Sequence, residues 1–366
     1  MSILLCQSVL VLPTLENYLP ALVDRLESFH TKGLPEGQDL VFTFPFGRAI
    51  VRPDPERFVM RAEAADAERL RRIKEILAVA VQLYARADKP DITWAGDLAD
   101  DTTLSNFRLM HVDYAQQITP HMRRVRLVGA DLKRFGEFGG LHIRMFFPTV
   151  AVREPVWPIA GANGLPFWPD EARKPPARVY TIRQLDAGAG TMDVDFVVHG
   201  PSGGEDAPDQ CIGSNWALSA QQGDAVGILG PLGRPIANAK TYIMGCDETG
   251  LPALSRILER LPTDAVGTAT IEVAERSDEQ VLVAPKGIAV NWIHRNGVAA
   301  GDHAALAETL CATPWPSGGE CYGWFAAEAE AAKRVRDHWR GTLQLGRDET
   351  LAAGYWKRGS AATMAA

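Results

Sequence analysis

The chain has 366 residues, of which 46% are hydrophobic and 23% charged, so it can fill ordinary cores and is not disordered by composition. At roughly 150 residues per domain, this length predicts two or three domains. The net charge of −7 argues against nucleic acid as the main partner. No apolar run approaches the roughly 18 residues of a membrane helix, so we expect no membrane insertion. The apolar N-terminus lacks a basic segment and a cleavage site, and we interpret it as part of the fold.

Cysteine usage excludes several kinds of chemistry. The chain has five cysteines, an odd number, and no C-x-x-C spacing, which argues against a disulfide framework and predicts a reducing, cytoplasmic location. An iron–sulfur cluster of the plant type needs C-x4-C-x2-C, which is absent. There is no H-E-x-x-H motif, and we expect no structural metal site.

Residues 1–95 predict a small α+β domain. Two helices are expected, from Leu19 to Phe29 and from Asp66 to Tyr84, because apolar residues recur at helical spacing in both. Between them lie three strand-like runs separated by proline and glycine, namely Leu40–Phe44, Arg48–Arg52 and Phe58–Ala62. A polar segment, 88–103, is interpreted as a linker.

Residues 105–236 predict an antiparallel β-barrel or sandwich. Short strand-like runs are punctuated by Gly, Pro and Asp, a pattern typical of these folds. The expected strands are Arg123–Val128, Leu141–Phe147, Arg178–Arg183, Met192–His199 and Ala225–Leu229. The Pro- and Trp-rich segment Val150–Pro176 is expected to be an irregular excursion.

Residues 240–366 alternate between strand and helix patterns, which predicts an α/β domain with a mostly parallel sheet. Its expected strands begin with Thr241–Gly245. We expect Asp302 to cap a helix that runs through Cys311. The pattern also predicts a helix over Glu328–Leu343 and a short helix over Asp348–Trp356, which would form a helical tail.

The run Arg178-Val-Tyr180-Thr181-Ile-Arg183 suits a flavin nucleotide. An arginine offers a forked, permanent cation for phosphate, and tyrosine offers a flat ring for stacking on a heteroaromatic. The hydroxyl of Thr181 can hydrogen-bond near the ring edge. The alternative is a half-buried strand with two solvated arginines.

Three further segments could contribute. His199-Gly200 and Gly213-Ser214-Asn-Trp216-Ala217 supply glycine and serine at a loop-to-helix entry, where N–H groups can approach a diphosphate; His199 could equally be a structural histidine of a strand. The loop Gly245-Cys-Asp247-Glu248-Thr249 follows a buried strand, at the sheet edge where α/β proteins bind ligands, although its acids could simply cap a helix. The basic pair Lys357-Arg358, after two aromatics, could cover an anionic or aromatic ligand or be a solvated tail.

Taken in order, these segments resemble the siderophore-interacting proteins, a family of flavin-dependent ferric-siderophore reductases. The similarity runs from about residue 105 to the C-terminus. It is carried by M-R-R-V-R-L-V-G-A-D-L from Met122, H-I-R-M-F-F-P from His142, R-V-Y-T-I-R from Arg178, D-V-D-F-V-V-H-G from Asp193, S-N-W-A from Ser214, G-C-D-E-T-G-L-P-A from Gly245 and G-Y-W-K-R-G from Gly354. More broadly, the chain is similar to ferredoxin-reductase-like flavoproteins, in which an FAD-binding barrel precedes a nicotinamide-binding α/β domain. Residues 1–95 resemble a small domain of unknown function.

The resemblance implies roles for individual residues. Arg178 would hold the FAD diphosphate, Tyr180 would pack at the isoalloxazine, and Thr181 would lie near its reactive nitrogen. The remaining cofactor-binding residues would be Arg183, His199, Ser214, Trp216, Ala217, Gly245, Asp247, Glu248 and Thr249. Because many ferric chelates are anionic, we expect a local basic patch formed by Arg144, Lys357 and Arg358.

The sequence therefore predicts an NAD(P)H-dependent ferric-chelate oxidoreductase that passes electrons through FAD to a ferric siderophore and releases Fe(II). No side chain is needed as a nucleophile or general base. Two alternatives stay open: a flavin reductase or ferredoxin-partnered carrier with another acceptor, and a non-catalytic siderophore-binding protein. Arg276 and Arg295 are both candidates for recognising the ribose phosphate of NADPH, so the sequence does not choose between NADH and NADPH.

Overall fold

In the computed structural model, the chain divides into two compact units. The first comprises residues up to Phe107 together with Pro155–Lys174, and the second comprises Arg108–Glu154 and the residues from Pro175 onward. The structure describes residues 3–29, 31–137, 140–198, 211–233, 236–317 and 320–359. The segment expected to be an irregular excursion of the barrel thus contributes most of its length to the first unit.

The first unit contains a six-stranded sheet with the order β2-β3-β4-β5-β1-β6 and two main helices. Its elements are β1 (Leu4–Leu10), α1 (Leu19–Glu27), β2 (Gly33–Glu36), β3 (Asp39–Phe44), β4 (Gly47–Arg52), β5 (Phe58–Ala64), α2 (Ala67–Tyr84) and β6 (Ala95–Gly96). Helix α2 begins as the sequence predicts, because the Asp66 side chain accepts a hydrogen bond from the backbone N–H of Arg69. The predicted α+β class is confirmed.

A closed six-stranded barrel with the order β12-β13-β8-β7-β14-β9 opens the second unit. The barrel and its helices comprise β7 (Phe107–Thr119), β8 (Met122–Val128), α3 (Arg134–Glu137), β9 (His142–Phe146), β12 (Ala177–Asp186), β13 (Thr191–Val197), α4 (Ile212–Ser219) and β14 (Ala225–Leu232). Between β9 and β12 the chain forms a two-stranded ribbon, β10 (Ile159–Ala160) and β11 (Pro166–Phe167), which belongs to the first unit. Side chains from alternate barrel positions, such as Ile143, Ile182 and Val194, are fully buried inside. The barrel confirms one of the two architectures that the sequence left open.

The parallel sheet that follows has the order β17-β16-β15-β18-β19. Its elements are β15 (Thr241–Cys246), α5 (Leu251–Leu258), β16 (Val266–Val273), β17 (Gly287–His294), α6 (Ala305–Ala312), β18 (Cys321–Glu328), α7 (Ala329–Asp337) and β19 (Thr350–Trp356). The predicted parallel α/β class is confirmed.

Two local predictions in this sheet are wrong. The tail predicted as a helix over Asp348–Trp356 is instead the strand β19, which pairs with β18 and completes the sheet edge. Asp302 does not cap α6, which begins after Ala304; its carboxylate instead forms an ion pair with Arg358.

Candidate functional site

A cleft of about 350 Å³ lies in the second unit, between the barrel and the parallel sheet. Strand β12, the start of α4, the loop after β15 and the residues at the end of β19 supply its walls. The sequence-predicted residues that line it are Arg178, Tyr180, Thr181, Ser214, Glu248, Thr249, Lys357 and Arg358. The fold therefore brings together segments separated by nearly two hundred positions in the chain.

Tyr180 forms part of the barrel end of this cleft. It lies opposite Ile143 in the pairing of β12 with β9, and its ring centroid is 4.4 Å from that of Phe196. A Cβ atom at Gly213 would fall 1.7 Å from the Tyr180 hydroxyl, so only glycine allows the first turn of α4 to approach this ring. Burial raises the pKa of the Tyr180 phenol, which keeps it protonated.

The start of α4 opens into the same cleft. Its N-cap residue is Cys211, whose side chain makes no capping hydrogen bond, and Cys211, Gly213 and Ser214 all line the cleft. The first N–H groups of a helix carry partial positive charge and suit a phosphate. Arg178 lines the cleft as well, and its Nη1 donates to the carbonyl of Ala177 at 2.8 Å. This end of the cleft has the donors that a diphosphate requires.

Thr181 is joined to the other side of the cleft through His142. The Thr181 Oγ1 lies 3.3 Å from His142 Nδ1, and His142 Nε2 lies 3.0 Å from the Tyr355 hydroxyl. All three residues line the cleft. Burial, with a smaller effect of the Arg256 cation, lowers the pKa of His142 to about 4, so the imidazole is neutral at physiological pH.

Asp247 holds the loop after β15 in place. Its Oδ1 accepts hydrogen bonds from the N–H of Thr249 at 2.9 Å and from the Thr249 hydroxyl, and its Oδ2 accepts one from Trp356 Nε1 at 2.7 Å. Burial raises the pKa of Asp247 to about 7, and the neighbouring Glu248 carboxylate acts in the same direction. Asp247 does not itself line the cleft; it orients Thr249 and Trp356, which do.

Glu248 belongs to a buried charge network at the same sheet edge. Both of its carboxylate oxygens accept from the guanidinium of Arg295, one at 2.7 Å. The Nη1 of Arg295 also lies 3.5 Å from Glu272, whose Oε2 accepts a hydrogen bond from His303 Nδ1 at 2.8 Å. Arg295, one candidate for binding the NADPH phosphate, is therefore already ion-paired with two carboxylates. Its side chain is also buried, with only 6% of the residue exposed.

The three predicted substrate cations have different surroundings. Lys357 is exposed beside the cleft. Arg358 is paired with Asp302, and its backbone N–H donates to Glu328 Oε1 at 3.2 Å. Arg144 is not in the cleft lining but lies opposite Val179 in the strand pairing, on the sheet face that carries Thr181 and His142.

Several predicted residues lie away from the cleft. The guanidinium of Arg183 donates to Glu259 at 2.7 Å. Trp216 and Ala217 are buried in the barrel core, with the Trp216 ring 5.2 Å from Phe147, and Gly245 is buried against Leu310. His199 lies outside the described residues.

Sequence reasoning missed His142 as part of the site, and it named Tyr355 and Trp356 only as the two aromatics before the basic pair. His142 was visible only as the first residue of a strand motif, and nothing local distinguishes it from a structural histidine. Both aromatics were assigned to a helical tail. The signal that could have found them is the strand-like run Leu351–Trp356, since a strand there ends at the ligand-binding edge of the sheet.

The comparisons agree with this architecture. The second unit joins a closed barrel to a parallel α/β sheet with a cleft between them, which is the class of fold that holds a nucleotide cofactor between two domains. Residues 111–235 match the model of the siderophore-interacting FAD-binding domain, and residues 239–359 match that of the siderophore-interacting protein. The chain belongs to the siderophore-interacting protein family.

The match to each of three relatives extends over most of that relative's length. The chain is 35% identical over 256 residues to the ferric vibriobactin reductase ViuB of Vibrio cholerae, covering 69% of this chain and 90% of that protein. It is 28% identical to the NADPH-dependent ferric-chelate reductase of Escherichia coli, covering 68% and 92%. The crystal structure of a siderophore utilization protein from T. fusca is 35% identical, covers 69% and 94%, and superposes with a TM-score of 0.60.

Among the residues that the structure describes, no helix has the length and hydropathy needed to cross a membrane. Within the same ranges, no group of three or more His, Cys, Asp or Glu side chains is arranged to hold a metal ion.

Proposed function

We propose that this protein reduces ferric siderophores in the cytoplasm, taking electrons from NADH or NADPH, passing them through FAD and releasing Fe(II). The names of two relatives, a ferric vibriobactin reductase and an NADPH-dependent ferric-chelate reductase, support the reaction class. The family's FAD-binding domain supports the cofactor. The five cysteines of this chain are all free thiols, which supports a reducing compartment such as the cytoplasm.

The observation that carries the proposal is the approach of α4 to Tyr180 at Gly213. Glycine lets the helix start pack directly against the Tyr180 hydroxyl, and a side chain there would overlap that hydroxyl and force the helix or the ring to move. Arg178, Ser214 and the first turn of α4, which has no side-chain cap, line the same cleft as Thr181. These residues suit a molecule with a diphosphate and a flat ring system, as FAD has.

Each residue has a distinct proposed role. Arg178, Ser214 and the first N–H groups of α4 bind the diphosphate. Tyr180 supports the flavin, and Thr181 donates or accepts a hydrogen bond at its ring. When bound, FAD accepts a hydride from NAD(P)H and returns electrons one at a time.

The parallel sheet supplies the nicotinamide side of the cleft. Glu248 and Thr249 line it, and Asp247 fixes the loop that carries them. With Arg295 bound to Glu248, the exposed Arg276 is the remaining candidate of the two for the phosphate of NADPH.

Substrate recognition is assigned to Lys357, Arg358 and Arg144. Lys357 and Arg358 line the cleft, and Arg144 lies opposite the lining residue Val179 in the strand pairing, so an anionic ferric chelate in the cleft would meet positive charge despite the acidic net charge of the chain. Reduction loosens the metal, because hard oxygen donors hold Fe(III) more firmly than Fe(II).

The experiment is an absorption spectrum of the purified protein before and after NADH or NADPH, followed by addition of ferric chelates with a colorimetric Fe(II) trap. We expect a flavin spectrum that bleaches with the nicotinamide and returns as Fe(II) forms. Free flavin and ferredoxin are the comparison acceptors, and faster reduction of either would favour an electron carrier with another partner. A colourless protein that does not take up FAD would overturn the proposal in favour of a binding protein.

A further inference from the structure

Three polar groups form a continuous hydrogen-bonded relay between the two sides of the cleft. The relay consists of the Thr181 hydroxyl, the His142 imidazole and the Tyr355 hydroxyl, with contacts of 3.3 Å and 3.0 Å. His142 uses one ring nitrogen for each hydroxyl. Strand β9 supplies the histidine, while strands β12 and β19 supply its partners.

The proposed reaction requires a proton to leave the cleft. Oxidation of one NAD(P)H delivers two electrons and one proton, whereas each Fe(III) takes one electron and no proton. The balance is NAD(P)H + 2 Fe(III) → NAD(P)⁺ + 2 Fe(II) + H⁺. Thr181 is only 4% exposed, so a ligand covering it would separate its hydroxyl from bulk water.

The surroundings of His142 keep the imidazole neutral and therefore able to both accept and donate. The charged group facing it is Arg256 of α5, which is 3% exposed and donates to the carbonyl of Ile182 at 2.9 Å. The titratable group facing it from β19 is the Tyr355 phenol, whose pKa burial raises above its usual value. A carboxylate beside His142 would stabilise the protonated imidazole and hold the proton there, whereas an arginine and a neutral phenol do not.

We propose that the relay Thr181–His142–Tyr355 carries this proton away from the buried Thr181 hydroxyl to the Tyr355 side of the cleft, an inference that rests on the proposed function. A proton arriving at Thr181 Oγ1 displaces the hydroxyl's own proton to His142 Nδ1. His142 releases its Nε2 proton to the Tyr355 oxygen, and Tyr355, which is half-buried and lines the cleft, gives its proton to water. Each group ends with the same charge as at the start, and His142 changes tautomer. Tyr355 and His142 act through Thr181 and are positioning residues.

The relay is tested by Tyr355→Phe, which keeps the ring that packs edge-on against His142 but removes the hydroxyl. His142→Gln keeps a polar group that cannot pass protons on, Thr181→Val removes the Thr181 hydroxyl, and Thr181→Ser retains a hydroxyl at that position. Tyr242→Phe is the matched control, because its buried hydroxyl, bonded to the N–H of Ala239 at 2.9 Å, lies outside the relay.

The first readout is the ¹⁵N NMR spectrum of His142 in the full chain, which does not depend on turnover. We expect Tyr355→Phe to change the tautomer populations of His142, and Tyr242→Phe to leave them unchanged. Identical His142 nitrogen shifts in wild type and Tyr355→Phe would overturn the relay.

The second readout is proton release, followed with a pH indicator alongside Fe(II) formation from ferric 2,3-dihydroxybenzoate. Because a positioned proton-transfer group contributes roughly 10²–10⁴-fold, we expect Tyr355→Phe, His142→Gln and Thr181→Val to slow both signals by about 100-fold or more. Thr181→Ser should retain most of the rate. Unchanged proton release in Tyr355→Phe would overturn the inference alone, whereas a wild-type chain that forms no Fe(II) would overturn the proposed function.

Discussion

Trp356 and Asp247 tie the last strand of the parallel sheet to the loop after its first strand. The indole Nε1 donates to Asp247 Oδ2 at 2.7 Å, across 109 positions of sequence. The same carboxylate orients Thr249, so one buried acid fixes two parts of the cleft wall. A shift of this carboxylate would therefore alter the cleft at both places.

The first prediction concerns the pH dependence of this contact. Burial raises the pKa of Asp247 to about 7, so between its unfolded pKa and pH 7 the folded protein binds a proton that the unfolded chain has released. Its contribution to the free energy of unfolding is complete below about pH 4 and is lost as pH rises through about 7. Relative to Asp247→Asn, which does not titrate, wild type should lose on the order of a few kcal/mol between these limits.

Urea unfolding at several pH values measures this difference. Trp356→Phe is the control, since it removes the indole donor but leaves the titrating carboxyl. Its difference from wild type should depend much less on pH. A wild-type minus Asp247→Asn difference that stays constant from pH 4 to 8 would contradict the buried, proton-binding carboxyl.

The second prediction concerns Gly213. Gly213→Ala would place a Cβ atom where the Tyr180 hydroxyl lies, forcing the ring or α4 to move. Overpacking of this kind lowers the free energy of unfolding by about 1–3 kcal/mol. We also expect FAD affinity to fall, because the start of α4 must shift to make room for the new methyl group. Chemical denaturation and fluorimetric FAD titration measure the two effects. Gly341→Ala, an exposed helical position where the new Cβ meets open space, should leave FAD affinity unchanged and should not destabilise the chain; normal FAD binding by Gly213→Ala would remove the main support for the proposed function.

Much of the barrel could be predicted from the sequence, but strand β7 could not. Its pairing with β8 shifts register at Val112/Tyr114 and again at Gln117/Thr119, so apolar residues do not alternate regularly along it. Strand β19 was mistaken for a helix because its alanines have high helix propensity, and its pairing with β18 decides its conformation.

The candidate site was predictable only where one short motif carries it. Arg178, Tyr180 and Thr181 are adjacent in sequence, and their strand fixes how they face the cleft. The contact of His142 with Tyr355 spans 213 positions and depends on how the sheet closes against the barrel. No local pattern reports such a contact, and for the same reason the partners of Arg183 and Arg295 could not be foreseen.

The third prediction concerns acid stability at His142. Burial lowers the pKa of His142 to about 4. Between about pH 6.5 and pH 4 the unfolded chain therefore binds a proton at this histidine, whereas the folded protein does not. This contribution is present above pH 6.5 and is lost as pH falls through about 4. His142→Gln should flatten that part of the profile of unfolding free energy against pH, with His338→Gln as the control. An NMR titration giving His142 a pKa near 6.5 would contradict the buried, neutral imidazole.

The fourth prediction concerns the basic patch. Reversing charge at Lys357 and at Arg144 should raise the apparent KM for an anionic ferric chelate, because the substrate then meets like charge at the mouth of the cleft. The effect should weaken in high salt, since exposed charges are screened over about 10 Å at 0.1 M ionic strength.

Initial rates with an anionic and a neutral ferric chelate measure this change in KM, and Lys286→Glu, at an exposed position outside the cleft lining, is the matched control. An unchanged KM for the anionic chelate in Lys357→Glu and Arg144→Glu would reject these cations as substrate contacts, and an equal rise in Lys286→Glu would assign the effect to net charge alone.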